Sequence, residues 1–308
     1  MADPVLVISG SGFIGSHVAN ELEATGRRVV TTSRNGLGAD LDCDFTDPAS
    51  TDRAVAAARP GAIVIIAGQA SVTAAWDDPP ATFSANVAGP FNVLDSARRL
   101  APDTHVLFTS SAGAYGSPGT RASVPFTESD PVSPTSPYGA SKAAAEMLCR
   151  QFDRQTALTV TIARLFNQVG PGLDDAQAPA EFAREIAKAE RRGERILDLP
   201  VGDPSIERDF TDVRDTAHAY SSILEHGMPG VFNVCSGTGV SLEKIIELLQ
   251  QHTGIEVRVV PRPDAPRPSD IPLVYGSHGK LTGATGWRPI TPLDTSLADL
   301  LADWRRRV

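Results

Sequence analysis

Tyr138 and Lys142 stand four residues apart in "SPYGASKAAAE", and Ser111 ends the upstream run "VLFTSS". On a helix, positions i and i+4 share a face, so a phenol and an ammonium would stand one turn apart. Pro137 suits a first helical position, and Ser136 suits the cap before it. A phenol has a reference pKa of about 10. A neighbouring cation and a helix N-terminus both favour the phenolate, so a lowered value is expected for Tyr138. Ser111 could bond the same substrate oxygen. The trio would move a proton on or off that oxygen near neutral pH. A Tyr-x-x-x-Lys pair alone names no reaction, because the spacing also arises by chance.

A second pattern supplies context. "VLVISGSGFIGSHV" places Gly10, Gly12 and Gly15 between an apolar run and a helical one. Glycines at this spacing let the backbone approach a pyrophosphate, which then meets the free N–H groups of the helix N-terminus. About 20 residues on, an NAD site usually carries an acid for the ribose 2′-hydroxyl. Here "TTSRN" offers Ser33, Arg34 and Asn35 instead. Arg34 could hold a 2′-phosphate through charge-assisted bonds, so NADP(H) is expected, with NAD(H) as the alternative. In "DCDFTD", Asp44 beside Phe45 falls at a third strand end, where an adenine could lie.

The elements that must position these residues alternate. Strands are expected over 5–9, 28–33, 62–67, 105–110 and 159–165, and helices over 15–25, 80–100 and 138–155. Apolar strands separated by helices imply a parallel sheet covered on both faces, and right-handed crossovers make it doubly wound. Thr109, Ser110 and Ser111 then fall at the carboxyl end of a strand, where such sheets bind ligands. Thr109 and Ser110 are cofactor contacts or caps of the strand. The fold class is α/β: a doubly wound parallel Rossmann sheet with a smaller C-terminal α/β substrate-binding domain. Its expected domains are 1–165 plus about 212–236 for NADP(H), and 166–211 plus about 237–308 for the substrate. A Pro-rich loop, "PRPDAPRPSDIP", is expected to fold over the site.

The chain has 308 residues and a net charge of −9. Such an acidic balance argues against nucleic acid or an anionic membrane as partner. Cys43, Cys149 and Cys235 are scattered, with no metal-like spacing, and read as reduced thiols. No metal is expected. No basic leader with a cleavage site is visible, and no apolar run approaches the roughly 20 residues of a membrane span. The expected compartment is the cytoplasm.

Together the motifs "GSGFIGSHV", "IIAGQASV", "NVAGPFNVLDSAR", "FTSSAGAYG", "PYGASKAAAE", "RLFNQVGPG", "ERDFTDVRD" and "FNVCSG" resemble the extended short-chain dehydrogenase/reductase family of nucleotide-sugar epimerases, dehydratases and reductases. One departure is Ser9, where the family usually places a further glycine. The resemblance implies that Tyr138 is the acid/base, that Lys142 binds the nicotinamide ribose and lowers the Tyr138 pKa, and that Ser111 orients the substrate. It implies cofactor contacts from Phe13, Ile14, Ala67, Gly68, Gln69, Asn86, Leu165 and Phe166. It implies substrate contacts from Ser71, Asn167, Val201, Arg208, Arg267 and Asp270, with the two arginines clamping a diphosphate or nucleotide ribose. The family's dehydratases carry a glutamate where this chain has Gly113 after Ser111 and Ala112, and neither alanine nor glycine moves a proton. That leaves 4-reductase or 4-epimerase. The finer match is to enzymes that use NADPH to reduce GDP-4-keto-6-deoxy-mannose to GDP-rhamnose; a nucleotide-sugar 4-epimerase with tightly bound NAD is the alternative. The family also implies a homodimer, with helices at about 84–100 and 138–155 forming a four-helix bundle. The stripe Ala140, Ala144, Leu148 leaves room for it, or faces the chain's own sheet.

Overall fold

The structure is a computed structural model and describes residues 3–117, 125–262 and 271–308. The strands of the first half are β1 (Val5–Ile8), β2 (Val29–Ser33), β3 (Leu41–Asp42), β4 (Ala62–Ile65), β5 (His105–Ser111) and β6 (Thr159–Leu165). Those of the second half are β7 (Asn167–Val169), β8 (Ile196–Val201), β9 (Glu207–Asp212), β10 (Gly230–Val234), β11 (Gly239–Ser241), β12 (Glu256–Pro261) and β13 (Leu273–Val274). Among the described residues, seven strands form one parallel sheet in the order β10-β6-β5-β4-β1-β2-β3. The order reverses between β1 and β4. That switch point opens a crevice at the carboxyl ends of the strands, where Ser111 ends β5.

The helices are α1 (Phe13–Ala24), α2 (Pro48–Ala58), α3 (Val72–Asp77), α4 (Pro79–Phe83), α5 (Gly89–Leu100) and α6 (Pro137–Gln155). They continue with α7 (Ala178–Arg191), α8 (Val213–His226), α9 (Leu242–Gln251), α10 (Gly279–Thr285) and α11 (Leu293–Arg307). One face of the sheet buries Leu6, Ile63 and Phe108 with Val55, Val93 and Phe152 from α2, α5 and α6. The other buries Val7, Val64 and Leu107 with Val18, Leu22 and Ile223 from α1 and α8. Strands buried on both faces carry apolar side chains at successive positions, which is why β1 and β4 are buried at every residue. A separate core packs Phe182, Ile186, Ile245, Leu249, Leu297 and Leu300 from α7, α9 and α11 over β8 and β9. Here β8 pairs with β12, while β9 pairs with β7, β11 and β13.

The helix expected over 80–100 is broken. Asp78 caps α4 by accepting from the Ala81 N–H, and Ser84–Ala88 then forms a π turn before α5. Pro90 has no N–H to give to the carbonyl of residue 86, so the ladder cannot run through it in α register. The Gly89 N–H instead reaches back five residues to the Ser84 carbonyl. This wide turn leaves the Asn86 side chain fully buried.

Ser9 lies in the left-handed region with φ 69°. Its N–H donates to Thr32 Oγ1 at 3.2 Å, and its carbonyl accepts from the Gly12 N–H at 3.2 Å. A side chain there costs on the order of 1 kcal/mol, and glycine avoids most of it. Ser9→Gly is therefore expected to stabilise the protein by roughly 0.5–1 kcal/mol, or about 1–3 °C in Tm. Thermal unfolding checks this; a lower Tm would mean that the serine side chain compensates for its own backbone.

Candidate active site

Helix α6 brings the reacting side chains together. Ser136 caps it by accepting from the Gly139 N–H at 3.1 Å, and Pro137 occupies its first position. A Cβ at residue 139 would lie 2.3 Å from the Gly113 carbonyl oxygen, so only glycine lets this helix end press against the turn after β5. The Tyr138 ring and the Ser111 hydroxyl stand side by side: a Cβ at Gly113 would lie 3.4 Å from both Ser111 Oγ and Tyr138 Cδ1. Ser111 Oγ accepts from the Gly113 N–H at 3.1 Å. One turn on, buried Lys142 donates from Nζ to the Thr109 carbonyl at 2.9 Å and lies 5.3 Å from the centre of the Phe108 ring.

The electrostatics correct one expectation. Partial burial raises the Tyr138 pKa above the ordinary phenol value, and the neighbouring Ser111 hydroxyl only partly opposes it. A phenolate would lose its hydration in this setting, and the Lys142 ammonium is directed at a carbonyl. Burial lowers Lys142 to about 8, with Cys149 and Glu146 acting in the other direction. Behind Thr109, its Oγ1 and the Tyr220 hydroxyl of α8 share a hydrogen bond of 2.8 Å.

The glycine loop fits a dinucleotide. A Cβ at Gly10 would meet Thr31 at 2.7 Å, and one at Gly15 would meet the Ser9 carbonyl at 2.2 Å. Gly12 precedes α1, whose N-terminus has no side-chain cap and no acid in its first turn. Phe13 and Ile14 begin this helix; the Phe13 ring stands edge-on to His17 at 5.9 Å. Ser33 ends β2 buried, its hydroxyl donating to the Leu37 carbonyl, while Arg34 and Asn35 are exposed just beyond. At the next strand end, the Asp44 carboxylate accepts from the Thr46 N–H and hydroxyl, which hold its pKa down. Gly68, at φ 145°, would set a Cβ 2.5 Å from Asn86 Oδ1 and 3.6 Å from Lys142 Nζ. Beside it, Gln69 Nε2 donates to the Ser71 carbonyl, and its buried Oε1 has no partner. These residues fit a nicotinamide dinucleotide: a bare helix end for its pyrophosphate, an exposed arginine past β2, and a side-chain-free wall beside Lys142.

Several of the expected contact residues make contacts within the chain. Asn86 is fully buried: its amide joins the Gln69 N–H and carbonyl and donates to Ser141 Oγ, so it holds the 67–69 turn rather than lining an open site. Ser110 points to the opposite side of β5 from Thr109 and donates to Glu146 at 2.6 Å. Phe45 packs into the sheet core against Gly89, and Ala67, Leu165 and Phe166 are also buried. Val201 is buried too, because the alternation of β8 turns its side chain into the second core. Ser71 Oγ caps α3 through the Ala74 N–H. Asn167 opens β7 opposite Phe210, and Arg208 donates to the Glu207 and Ile271 carbonyls. Arg267 and Asp270 lie outside the described residues, as does most of the Pro-rich stretch.

The sequence reading missed a buried pair behind the site. Arg164 of β6 donates to both oxygens of Glu146 on α6, at 2.8 and 2.6 Å, and the arginine is fully buried. Its guanidinium lies 4.4 Å from the centre of the Tyr115 ring. Two signals were present: an arginine inside the apolar run "TVTIARL", and an acid four residues past Lys142.

A nucleotide-binding parallel sheet with a Ser–Tyr–Lys set at its carboxyl edge is the architecture of an NAD(P)-dependent oxidoreductase of the extended short-chain dehydrogenase/reductase type. The model of the NAD dependent epimerase/dehydratase family matches residues 5–235, and the chain belongs to that family. The chain is 35% identical over 309 residues to the GDP-6-deoxy-D-mannose reductase of Pseudomonas aeruginosa, covering 100% of this chain and 99% of the relative. It is also similar to the solved structure of RMD from Pseudomonas aeruginosa complexed with NADPH, with a TM-score of 0.88, 34% identity, and 99% and 100% of the two chains covered. The Thermus thermophilus UDP-glucose 4-epimerase in complex with NAD aligns with a TM-score of 0.84 and 30% identity, over 99% of this chain and 100% of its own.

The geometry makes a direct statement about Tyr138. In protein without added nucleotide, a Tyr138→Phe difference titration at the tyrosinate band is expected to show its phenolate only above about pH 10. A Tyr138 phenolate visible between about pH 7 and 8 would overturn the burial argument.

Proposed function

We propose that this chain uses NADPH to reduce the 4-keto group of a nucleotide-activated 6-deoxy sugar, with GDP-4-keto-6-deoxy-mannose as substrate and GDP-rhamnose as product. The observation that carries this reading is the placement of Tyr138: a half-buried phenol set beside Ser111 and one turn before Lys142, with its pKa raised so that it stands protonated and ready to donate. A reductase needs that acid first, whereas an epimerase begins with the same residue as a base. Likeness to a GDP-6-deoxy-D-mannose reductase over the full length supports the same direction. Arg34 past β2, with no acid at 33–35, supports a 2′-phosphate and hence NADPH over NAD. NAD remains the alternative cofactor, since a structural relative is complexed with it.

The Gly10–Gly15 loop would receive the pyrophosphate, Arg34 the 2′-phosphate, and Lys142 the nicotinamide ribose. When bound, NADPH supplies the hydride that reduces the sugar C4. Tyr138 gives its proton to O4 as charge develops there, and Ser111 donates a hydrogen bond to the same oxygen. Lys142, still cationic at neutral pH, lowers the cost of the tyrosinate left behind. We assign the substrate to a lobe of 166–211 plus about 237–308, where Asn167 and Arg208 stand with Arg267 and Asp270 in its sequence. Arginine suits planar, multidentate recognition of a diphosphate.

We also propose a homodimer through the helices at 84–100 and 138–155. Phe91 and Leu100 are 43% and 45% exposed there, Met147 is 72% exposed and Phe83 just before them is 40% exposed, a large apolar display for a monomer. In sedimentation velocity, Phe91→Glu with Met147→Glu is expected to give monomer; an unchanged species would place the interface elsewhere. Among the described residues no helix is long and apolar enough to cross a membrane. Three buried free cysteines fit the reducing cytoplasm.

Incubation with GDP-4-keto-6-deoxy-mannose and NADPH is expected to consume one NADPH per sugar, with Tyr138→Phe lowering kcat by roughly 10²–10⁴-fold. Conversion of a nucleotide sugar at C4 with no net NADPH consumption, by protein carrying fixed NAD, would establish the epimerase instead.

A further inference from the structure

Glu146 stands one helical turn beyond Lys142, as Lys142 stands one turn beyond Tyr138, so the three share a stripe of α6. Its carboxylate is 2% exposed and fully engaged: Ser110 of β5 and Arg164 Nε bind Oε1, and Arg164 Nη2 binds Oε2. Arg150, on the same helix, approaches Oε2 at 3.8 Å. The pair thus bolts α6 to two adjacent strands at the height of the reacting side chains. On the far side, the Tyr115 ring packs between the Arg164 guanidinium and Phe126, 4.7 Å from the latter, and its hydroxyl donates to Asn233 at 2.7 Å.

We propose that the buried Glu146–Arg164 pair is a positioning unit for the reacting pair, in which the Glu146 carboxylate keeps the buried Lys142 amine cationic while Arg164 and Ser110 fix where that carboxylate stands. The inference rests on the reading of Tyr138 and Lys142 as the reacting pair.

Few other groups can do this. On its own helix Lys142 faces Cys149, whose thiol burial keeps protonated, and Tyr138, whose phenol is also neutral. The strand β5 presents the Thr109 carbonyl and the Phe108 ring, with neutral Tyr220 of α8 behind Thr109. The 67–69 turn presents Gly68 and neutral Asn86. Glu146 is the negative charge among these groups. Burial has already brought Lys142 to about 8, so removing that charge carries it toward or below neutral pH.

The chain contains four lysines, so the Lys142 resonance of ¹³C-lysine-labelled protein can be assigned by its loss in Lys142→Met. In Glu146→Gln the Lys142 midpoint is expected to fall by about one pH unit or more, and Glu146→Asp is expected to recover part of it. The alkaline limb of kcat should move down with it. At neutral pH, kcat should drop about 10-fold or more while KM for the sugar changes less than about 3-fold. A double variant, Glu146→Gln with Arg164→Met, leaves no unpaired buried charge and is expected to fold with the lowered midpoint and low kcat. A folded Glu146→Gln with an unmoved midpoint, or a double variant with wild-type midpoint and kcat, would overturn the proposal. If wild-type protein fails to reduce the sugar, the functional reading falls, and the lysine titration still decides the role of Glu146.

Discussion

The seating of α6 on β5 and β6 is the constraint from which the site follows. Along one stripe this helix sets a half-buried phenol, a buried ammonium and a buried carboxylate. Each meets a different part of the sheet's carboxyl half: Tyr138 lies beside Ser111, Lys142 bonds the Thr109 carbonyl, and Glu146 bonds Ser110 and Arg164. A shift of α6 along its axis would disturb all three contacts together. Gly139 against Gly113 and Gly68 against Asn86 are the close approaches that permit the seating. A buried ion pair such as Glu146–Arg164 is weak as a source of net stability, since desolvation offsets most of its attraction. Breaking it by removing one partner is costly, however, so it constrains where the helix can rest.

The nucleotide loop shows a different constraint. Its glycines are required by backbone contacts within the chain, before any ligand is considered: Gly15 under the Ser9 carbonyl, Gly10 against Thr31. Ser9 holds a left-handed conformation that glycine adopts more readily, yet its backbone bonds to Thr32 Oγ1 and Gly12 remain in place. The family's extra glycine thus eases the turn without being needed to form it.

What could be read from the sequence was what local spacing determines. The cap at Ser136, the proline after it, the shared face of Tyr138 and Lys142, and the strand–glycine–helix unit all depend on neighbours in the chain. The parallel doubly wound sheet, through five of its seven strands, followed from apolar runs alternating with helical ones. What could not be read was set by partners distant in sequence. The direction of the Tyr138 shift depends on how deeply the phenol is buried, which no i, i+4 argument contains. Ser110, Asn86, Phe45 and Val201 were placed near ligands by their position in motifs; strand alternation turns the Ser110 and Val201 side chains inward, Phe45 packs on Gly89 from the turn after β3, and the π turn buries Asn86. Pro90 in "NVAGPFNVL" was the visible cue to that turn. Arg164 was visible as a lone charge in a buried strand, but its partner could be named only once β6 and α6 were brought together.

The same burial bears on the direction of the chemistry. A phenol held above its ordinary pKa is a poor base at rest and a willing acid once an adjacent oxygen becomes strongly basic. Charge arriving at the substrate oxygen creates that demand, and the buried Lys142 cation then gains an anion to face. Desolvation that disfavours tyrosinate beforehand strengthens its attraction to the ammonium afterwards, because both effects come from the same low local dielectric. Glu146, one turn further along α6, opposes the tendency of burial to discharge Lys142 before that moment. The site is therefore biased toward donating a proton, and the bias lies in how α6 is buried rather than in the Tyr–Lys pair alone.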